Sequence, residues 1–437
     1  MTKLPETWKS STIGEVADIV RGVTYSKGDT LSATDNEAVP LLRATNLEVD
    51  SIDFEDMVYV PKRVVKAQQF LQLDDIFLAA SSGSISVVGK SAQVVKTNGE
   101  TFGAFCAVIR PKNINPKFLA YWVQSPAIRD HWSATAKGTN INNLKPSDIS
   151  ETNIPIPPID EQHKIVELLE DHLSRLDAAL ADVKQAKIKA VQFRRSLLEE
   201  ACTGRVRVDG TQDVTELPSG WELKRLGNCL EKLDSGKLAE RGWSPQCLSH
   251  PVRNADTWGV LKTTAVQMGD YQPEYNKELP TSLAPKTGLE VKPGDFLVTT
   301  TGPRNRCGIV CHVKSTPRKL IFSGKILRFR ANENIVLASW LMFVLMSPEY
   351  QKTFDRLKVG TSDSSVSIGN QQIIDLDIPV PPIAEQRKVI EMLEELLSRL
   401  DVTLAMADAM EKQTFALRRS VLQAAFTGQL TKEVVNV

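Results

Sequence analysis

The side chains best suited to chemistry are arginines, asparagines, serines and threonines gathered in glycine-containing loops. The first half carries Arg21-Gly22-Val23-Thr24-Tyr25-Ser26-Lys27, Arg43-Ala44-Thr45-Asn46, Ser81-Ser82-Gly83-Ser84 and Lys137-Gly138-Thr139-Asn140-Ile141-Asn142-Asn143-Leu144-Lys145. The second half carries Ser235-Gly236-Lys237, Thr299-Thr300-Thr301-Gly302-Pro303-Arg304-Asn305-Arg306 and Lys358-Val359-Gly360-Thr361-Ser362-Asp363-Ser364-Ser365. Such groups can meet phosphate oxygens and base edges: Arg suits guanine and Asn suits adenine in the major groove. Glycine lets a backbone approach a duplex closely. The candidate DNA contacts are Arg21, Thr24, Tyr25, Lys27, Arg43, Asn46, Ser82, Ser84, Lys90, Asn140, Asn142 and Lys145, then Lys237, Arg304, Asn305, Arg306, Ser362 and Ser364. Each loop alone is a weak signal, because Ser, Thr, Asn and Gly also make ordinary turns.

Enzyme chemistry finds little support. Gly83 to Gly89-Lys90-Ser91 resembles a phosphate loop, but five residues separate the glycines where four are needed. No G-x-G-x-x-G follows a strand, and the Pro-Pro pairs precede Ile, unlike the Asn- or Asp-Pro-Pro-aromatic tetrapeptide of an amino-methyltransferase. Cys307, Cys311 and His312 lack a second ligand pair at finger-like spacing. Alternation along a strand accounts for them better. The five histidines, His131, His163, His172, His250 and His312, form no motif. No catalytic residue and no metal site is assigned.

The elements that must position the loops come from a repeat. Ile154-Pro155-Ile156-Pro157-Pro158-Ile159-Asp160-Glu161-Gln162 recurs 224 residues later as Ile378-Pro379-Val380-Pro381-Pro382-Ile383-Ala384-Glu385-Gln386. Over 154–177 against 378–401, 16 of 24 positions are identical. Arg194-Arg195-Ser196 matches Arg418-Arg419-Ser420, and Thr203-Gly204 matches Thr427-Gly428. Upstream, Leu4-Pro5, Trp8 and Gly14 reappear as Leu217-Pro218, Trp221 and Gly227, at offset 213. The plan is globule, arm, globule, arm, with similar arms and divergent globules.

Each arm reads as one helix, because no Pro or Gly interrupts Asp160 to Cys202 or Ala384 to Phe426. Val166, Leu169, Leu173, Leu176, Leu180 and Val183 are spaced 3-4-3-4-3, as are Ile390, Leu393, Leu397, Leu400, Leu404 and Ala407. That is a coiled-coil seam. It is expected to continue through Ala186, Ala190, Phe193 and Leu197, and through Met410, Thr414, Leu417 and Val421, with two successive steps of three that overwind the coil locally. Gly204 and Gly428 suit the helix ends. The globules read as mixed α and β. Strand character falls in Leu41–Leu47, Ile76–Ala80, Val87–Val95, Phe102–Ile109, Phe296–Thr300, Gly308–Val313 and Lys319–Phe329. Short helices are expected at Phe118–Val123 and Leu337–Leu345, the latter extended by Tyr350–Leu357.

Composition bounds the rest. A chain of 437 residues, 42% hydrophobic and 24% charged, is that of a globular protein of two to four domains. No apolar run approaches the ~20 residues of a membrane span. The N-terminus lacks the apolar stretch of a signal peptide. Six scattered cysteines point to a reducing, cytoplasmic compartment. The basic and acidic totals, 53 each, cancel, but residues 217–377 hold 21 basic against 16 acidic groups. Balanced totals can hide a basic face.

The globule–arm plan, the I-P-x-P-P-I-x-E-Q start of each helix, its R-R-S-x-L and T-G end, and the L-P-x-x-W openings at Leu4 and Leu217 resemble the specificity subunit of type I restriction-modification systems. The resemblance covers essentially the whole chain; the helix starts are specific, the loops are not. It implies an α+β fold in which two mixed α/β target recognition domains alternate with two long helices that pair as an antiparallel coiled coil in a pseudo-twofold repeat. The implied boundaries are 1–153 and 217–377 for the recognition domains, 154–205 and 378–428 for the helices, 206–216 for a linker and 429–437 for a tail. Each domain would read half of a bipartite double-stranded DNA site, and the helices would set the spacing. The implied partners are two methyltransferase subunits, which carry S-adenosylmethionine and act on adenine N6, and, where present, two restriction subunits using ATP and Mg. The chain itself would bind no cofactor and catalyse nothing. A specificity module of another phage-defence complex is the alternative.

Overall fold

The computed structural model describes residues 4–48, 50–138, 141–203 and 217–431. Two compact units emerge, Met1–Lys184 with Asp408–Val437, and Gln185–Ala407, so each long helix contributes to both. No helix among the described residues is long and apolar enough to cross a membrane.

The first unit is built on an antiparallel sheet ordered Ala17–Arg21, Cys106–Pro111, Ile76–Ala79, Ser91–Gln93. Both faces are covered. Ile76, Leu78, Ala107 and Ile109 join the core with helices Pro116–Gln124 and Pro126–Thr135, while Phe77, Ala79 and Val108 join Leu42 and Phe102 on the other side. Successive strand residues point to opposite faces, so two buried faces demand an apolar residue at every position. That is why Ile-Phe-Leu-Ala shows no polar alternation. Val58–Pro61, Ala38–Leu42 and Thr101–Phe102 form a second sheet, the last pair parallel. A ribbon of Lys9–Thr12 against Asn153–Ile156 ties the start of the unit to the start of its arm.

The second unit repeats this plan. Ala239–Arg241, Ile326–Arg330, Asp295–Thr299 and Val310–His312 make the central sheet, and Asn276–Glu278, Gly259–Leu261 and Leu320–Phe322 the smaller one. Glu222–Arg225 pairs with Asp377–Val380 at the arm. Each central sheet keeps one fully buried carboxylate. Asp75 accepts from Arg110 Nε and Nη2 at 2.8 and 2.7 Å; Asp295 accepts from Arg330 Nε at 2.6 Å. Both also accept a backbone N–H three residues upstream, from Gln72 and Lys292.

Several elements differ from the sequence reading. Phe102–Ile109 and Lys319–Phe329 are not single strands. Turns at 103–105 and 323–325 divide them, and the halves enter different sheets. Of Val87–Val95 only Ser91–Gln93 is strand, because the chain turns before it with Gly89 at φ +80°. Leu41–Leu47 is strand only to Leu42 and then turns through Ala44–Asn46. Pro348–Leu357 is a separate helix. Ser347 leaves the α region at ψ 150°, as a residue before proline must.

The arms are the helices Ile159–Thr203 and Ile383–Ala425, which pair antiparallel. Ile165, Val166, Leu169 and Leu173 share a core with Leu422, Ala425 and Phe426 in the first unit. Val389, Ile390, Leu393 and Leu397 share one with Leu197, Leu198 and Ala201 in the second. Leu176, Leu180, Leu400 and Leu404 are half-buried. Beyond Val183 and Ala407 the expected seam fails: Ala186, Phe193, Met410 and Leu417 are exposed. The covered positions are Lys187, Ala190, Arg194 and Leu197, and Glu411, Thr414, Arg418 and Val421. These continue the heptad without a break, so the expected overwinding does not arise. Long polar side chains can occupy the seam because their stems lie on apolar surface while their heads reach out. Gly428 takes φ +73° past the end of the second helix; Gly204 lies outside the described residues.

Candidate nucleic-acid interface

In the first unit all four of the predicted loops meet. Thr24, Tyr25, Arg43, Thr45, Ser82 and Ile141 border a cleft of about 590 Å³, together with Phe105 and Cys106. Gly22 makes the floor possible: a Cβ there would lie 2.1 Å from the Gly103 carbonyl oxygen. Asn142 and Asn143 pair as a short antiparallel strand with Ser82 and Ser81. Asn142 Nδ2 also donates to the Ser82 and Gly83 carbonyls at 3.3 and 3.2 Å, and Ser81 Oγ donates to Asn143 Oδ1. These bonds fix the loops that line the cleft. Burial pushes the Cys106 thiol up to about 12, so it stays a neutral, apolar part of the floor.

The individual candidates divide. Arg21, Thr24, Ser84 and Lys145 are exposed; Tyr25, Ser82, Lys90 and Asn142 are half-buried. Arg43 is half-buried and anchored, its Nη2 donating to the Asp56 carboxylate at 2.9 Å and to the Asp56 carbonyl at 3.1 Å. Asn46 is corrected. It is 1% exposed; its Oδ1 accepts from Arg43 N, and its Nδ2 donates to the Asp53 and Asp56 carbonyls. Its polar atoms close a turn and cannot reach DNA. The Lys27 side chain and Asn140 lie outside the described residues.

The second unit brings the equivalent loops together. Thr301–Gly302 pairs with Ser365–Ser367, which pairs with Val359–Ser362. Arg304 bridges them, donating from Nε to Asp363 at 3.0 Å and from Nη1 to Asp355 at 2.9 Å. Those bonds, Asp355 first, raise the Arg304 pKa, and Lys358 followed by Arg304 lowers that of Asp355. Asn305, Ser362, Ser364 and Lys237 are exposed. Arg306 is corrected. Its guanidinium donates to Gln267 Oε1 at 2.9 Å and to the Thr263 and Val266 carbonyls at 2.9 and 2.8 Å, so it is a strut beneath the loop.

One positional match escaped the sequence reading. Arg241-Gly242 is the counterpart of Arg21-Gly22. Arg241 faces Leu327 as Arg21 faces Ala107, and a Cβ on Gly242 would lie 1.9 Å from the Phe322 carbonyl oxygen. The Arg-Gly dipeptide repeated at offset 220 was the available signal.

The arms are bolted to their units by the glutamine of the repeated motif. Gln162 is buried; its Oε1 accepts from Asn115 N at 2.9 Å and its Nε2 donates to the Pro157 carbonyl at 2.9 Å. Gln386 is fully buried and does the same with Leu337 N at 2.8 Å and the Ile335 and Pro381 carbonyls at 3.0 and 2.8 Å. The basic pairs near the helix ends face acidic groups: Arg194 meets Asp401, Arg418 meets Asp177 and Asp50, and Arg419 meets Asp130. Among the described residues no three potential metal ligands come together. Cys311 is buried in a strand, with its thiol raised to about 12 by that burial, and His312 stacks on Phe296.

Comparison with known proteins agrees with this construction. Residues 5–190 match the family described as the type I restriction modification DNA specificity domain. The chain is 30% identical to the type I restriction enzyme StySPI specificity subunit of Salmonella potsdam, over 99% of this chain and 91% of that one. Identity to the EcoKI specificity subunit of Escherichia coli K12 is also 30%, with the same coverage. In fold it is similar to the HsdS subunit from Thermoanaerobacter tengcongensis (TM-score 0.57, 18% identity, 98% of both chains). A chain from a structure of type I R-M complex assembly and conformational transition gives a TM-score of 0.74, at 19% identity over 98% of this chain and 99% of that one. With two relatives at this identity across nearly its whole length, the chain belongs to the specificity subunits of type I restriction enzymes, the subunits of DNA sequence recognition.

Proposed function

We propose that each unit reads one half of a bipartite double-stranded DNA site, the first through residues 1–153 and the second through 217–377. The observation that carries this reading is the recurrence of one loop arrangement on two divergent sequences: Ser81–Ser82 with Asn142–Asn143, and Thr301–Gly302 with Ser365–Ser367. Arg21, Thr24, Tyr25, Ser82, Ser84, Lys90, Asn142 and Lys145 serve the first half-site; Lys237, Asn305, Ser362 and Ser364 serve the second. Arg43 and Arg304 reach DNA by exchanging their carboxylate partners for phosphate. Many weak phosphate contacts make such binding salt-sensitive.

The paired arms set the separation of the half-sites and dock two methyltransferase subunits. Val191 and Phe193 on the first arm, and their repeat mates Phe415 and Leu417 on the second, are exposed apolar side chains on otherwise polar helices. A surface used twice suits one partner bound twice. S-adenosylmethionine belongs to those partners, ATP and Mg to restriction subunits where present, and this chain directs the chemistry in the cytoplasm without catalysing it. Exchanging residues 1–153 for the corresponding domain of another specificity subunit tests the reading. One half of the methylated motif should change and the other remain; a change in both halves, or in neither, contradicts it.

A further inference from the structure

The turns that divide two expected strands, at 103–105 and 323–325, are one turn used twice. The Phe105 carbonyl accepts from Ala80 N at 3.0 Å and from Ser81 N at 2.9 Å; the Lys325 carbonyl accepts from Thr300 N at 2.8 Å. Thr300 Oγ1 adds a bond at 3.2 Å. Beyond the turn, Leu144 N donates to the Ala80 carbonyl as Ile368 N donates to that of Thr300. Phe105 and Lys325 therefore occupy one place in the fold, 220 residues apart, as the buried Asp75 and Asp295 do.

At this place the backbone is held and the side chain is free. Phe105 is 65% exposed and borders the cleft with Tyr25 and Ile141, itself 54% exposed. Lys325 is exposed, and its ammonium pairs with no carboxylate among the described residues. Neighbouring apolar side chains held out into water mark a surface that something covers. A fixed backbone bearing a different side chain in each unit is what two domains reading different bases require.

We propose that this turn residue is a base-reading position in both units, with Phe105 against a thymine methyl group in one half-site and Lys325 donating to guanine in the other. The proposal rests on the reading that each unit faces one half-site. Thymine displays an apolar methyl in the major groove, which an aromatic edge can cover; guanine displays O6 and N7, which accept from an ammonium. Tyr25 and Ile141 extend the apolar wall, so a base pair without the methyl leaves that wall wet.

The test uses the assembled methyltransferase complex with Phe105→Ala, Phe105→Leu or Lys325→Ala. Methylation is read on DNA libraries randomised through both half-sites, and DNA affinity is measured across a salt series. Phe105→Ala should lose roughly tenfold discrimination at one base pair of one half-site and leave the other half intact. Phe105→Leu, which keeps an apolar tip, should retain most of it. Lys325→Ala should lose discrimination at one position of the other half. Unchanged base preferences in all three variants would overturn the proposal while leaving half-site reading in place. So would a Lys325→Ala variant that binds every sequence equally more weakly with a salt slope reduced by about one, the signature of a phosphate contact. A wild-type complex without any bipartite preference would remove the underlying reading as well.

Discussion

Arg194 Nη2 donates to Asp401 Oδ1 at 2.8 Å across the paired arms. Replacing each partner by its mate 224 residues away gives the second ion pair, Arg418 Nη1 to Asp177 Oδ1, also at 2.8 Å. The repeat in sequence is thus a repeat in contacts. Both arginines sit at heptad seam positions where apolar residues would pack more tightly, which is how a coiled coil gives up some stability to fix its register.

The two pairs should differ in strength. Arg194 is 37% exposed and faces a carboxylate that is 60% exposed, so a double-mutant cycle with Asp401 should give a coupling below about 1 kcal/mol. Arg418 is 18% exposed and also meets Asp50. Arg418→Ala should cost more than Arg194→Ala, about 1–2 kcal/mol, both measured by chemical denaturation of the full chain. Equal costs would show that the burial difference is immaterial.

Gln386→Ala removes one acceptor and one donor that serve three buried backbone groups, Leu337 N and the Ile335 and Pro381 carbonyls. Leaving these unpaired costs about 2–4 kcal/mol. Thermal melting should show a fall of roughly 5–10 °C. Gln162→Ala should behave alike, and Glu at either position should also fail, because it cannot donate when ionised. A melting point within about 1 °C of wild type would remove the bolt from the account.

Stability should depend on His312. Its pKa is lowered from the ordinary 6.5, first by burial and then by Lys314. The unfolded chain therefore binds a proton at higher pH than the folded one. The stabilising difference is complete above about 6.5 and is lost as pH falls from there through the lower folded value. Urea midpoints should drop between pH 7 and pH 5, and His312→Gln should flatten that drop. A profile with the same slope in the variant would assign the pH dependence elsewhere.

The spacer role proposed for the arms is tested by insertion. Seven residues, one heptad, placed after Gln185 and again after Ala409 keep both seams in register. At 1.5 Å per residue they add about 10 Å, or about three base pairs. The methylated motif should gain that much spacer with both half-sites unchanged. Altered half-sites around an unchanged spacer would contradict it.

Much of this was legible in the sequence, for reasons that particular residues make plain. The arms were readable because an unbroken helix with a buried stripe forces a 3-4 spacing from Val166 to Val183 and from Ile390 to Ala407. The seam beyond was misread because periodicity follows hydrophobicity, and there the covered positions are Lys187, Arg194, Glu411 and Arg418. The candidate interface was legible as loops but not as contacts. Asn46 and Arg306 have the residue types that read DNA, yet they hold turns, and only their bonding partners reveal it. Phe105 and Lys325 share no residue type, so their equivalence appears only in the hydrogen bonds of the turn that carries them.

The most direct measurement is single-molecule sequencing of DNA from cells expressing this chain with its cognate methyltransferase subunit. The account predicts one bipartite motif, with N6-methyladenine in both halves and a fixed spacer between them. Unmethylated DNA from cells in which the complex is shown to be assembled, or methylation at a single continuous motif, would contradict the assignment of one half-site to each unit.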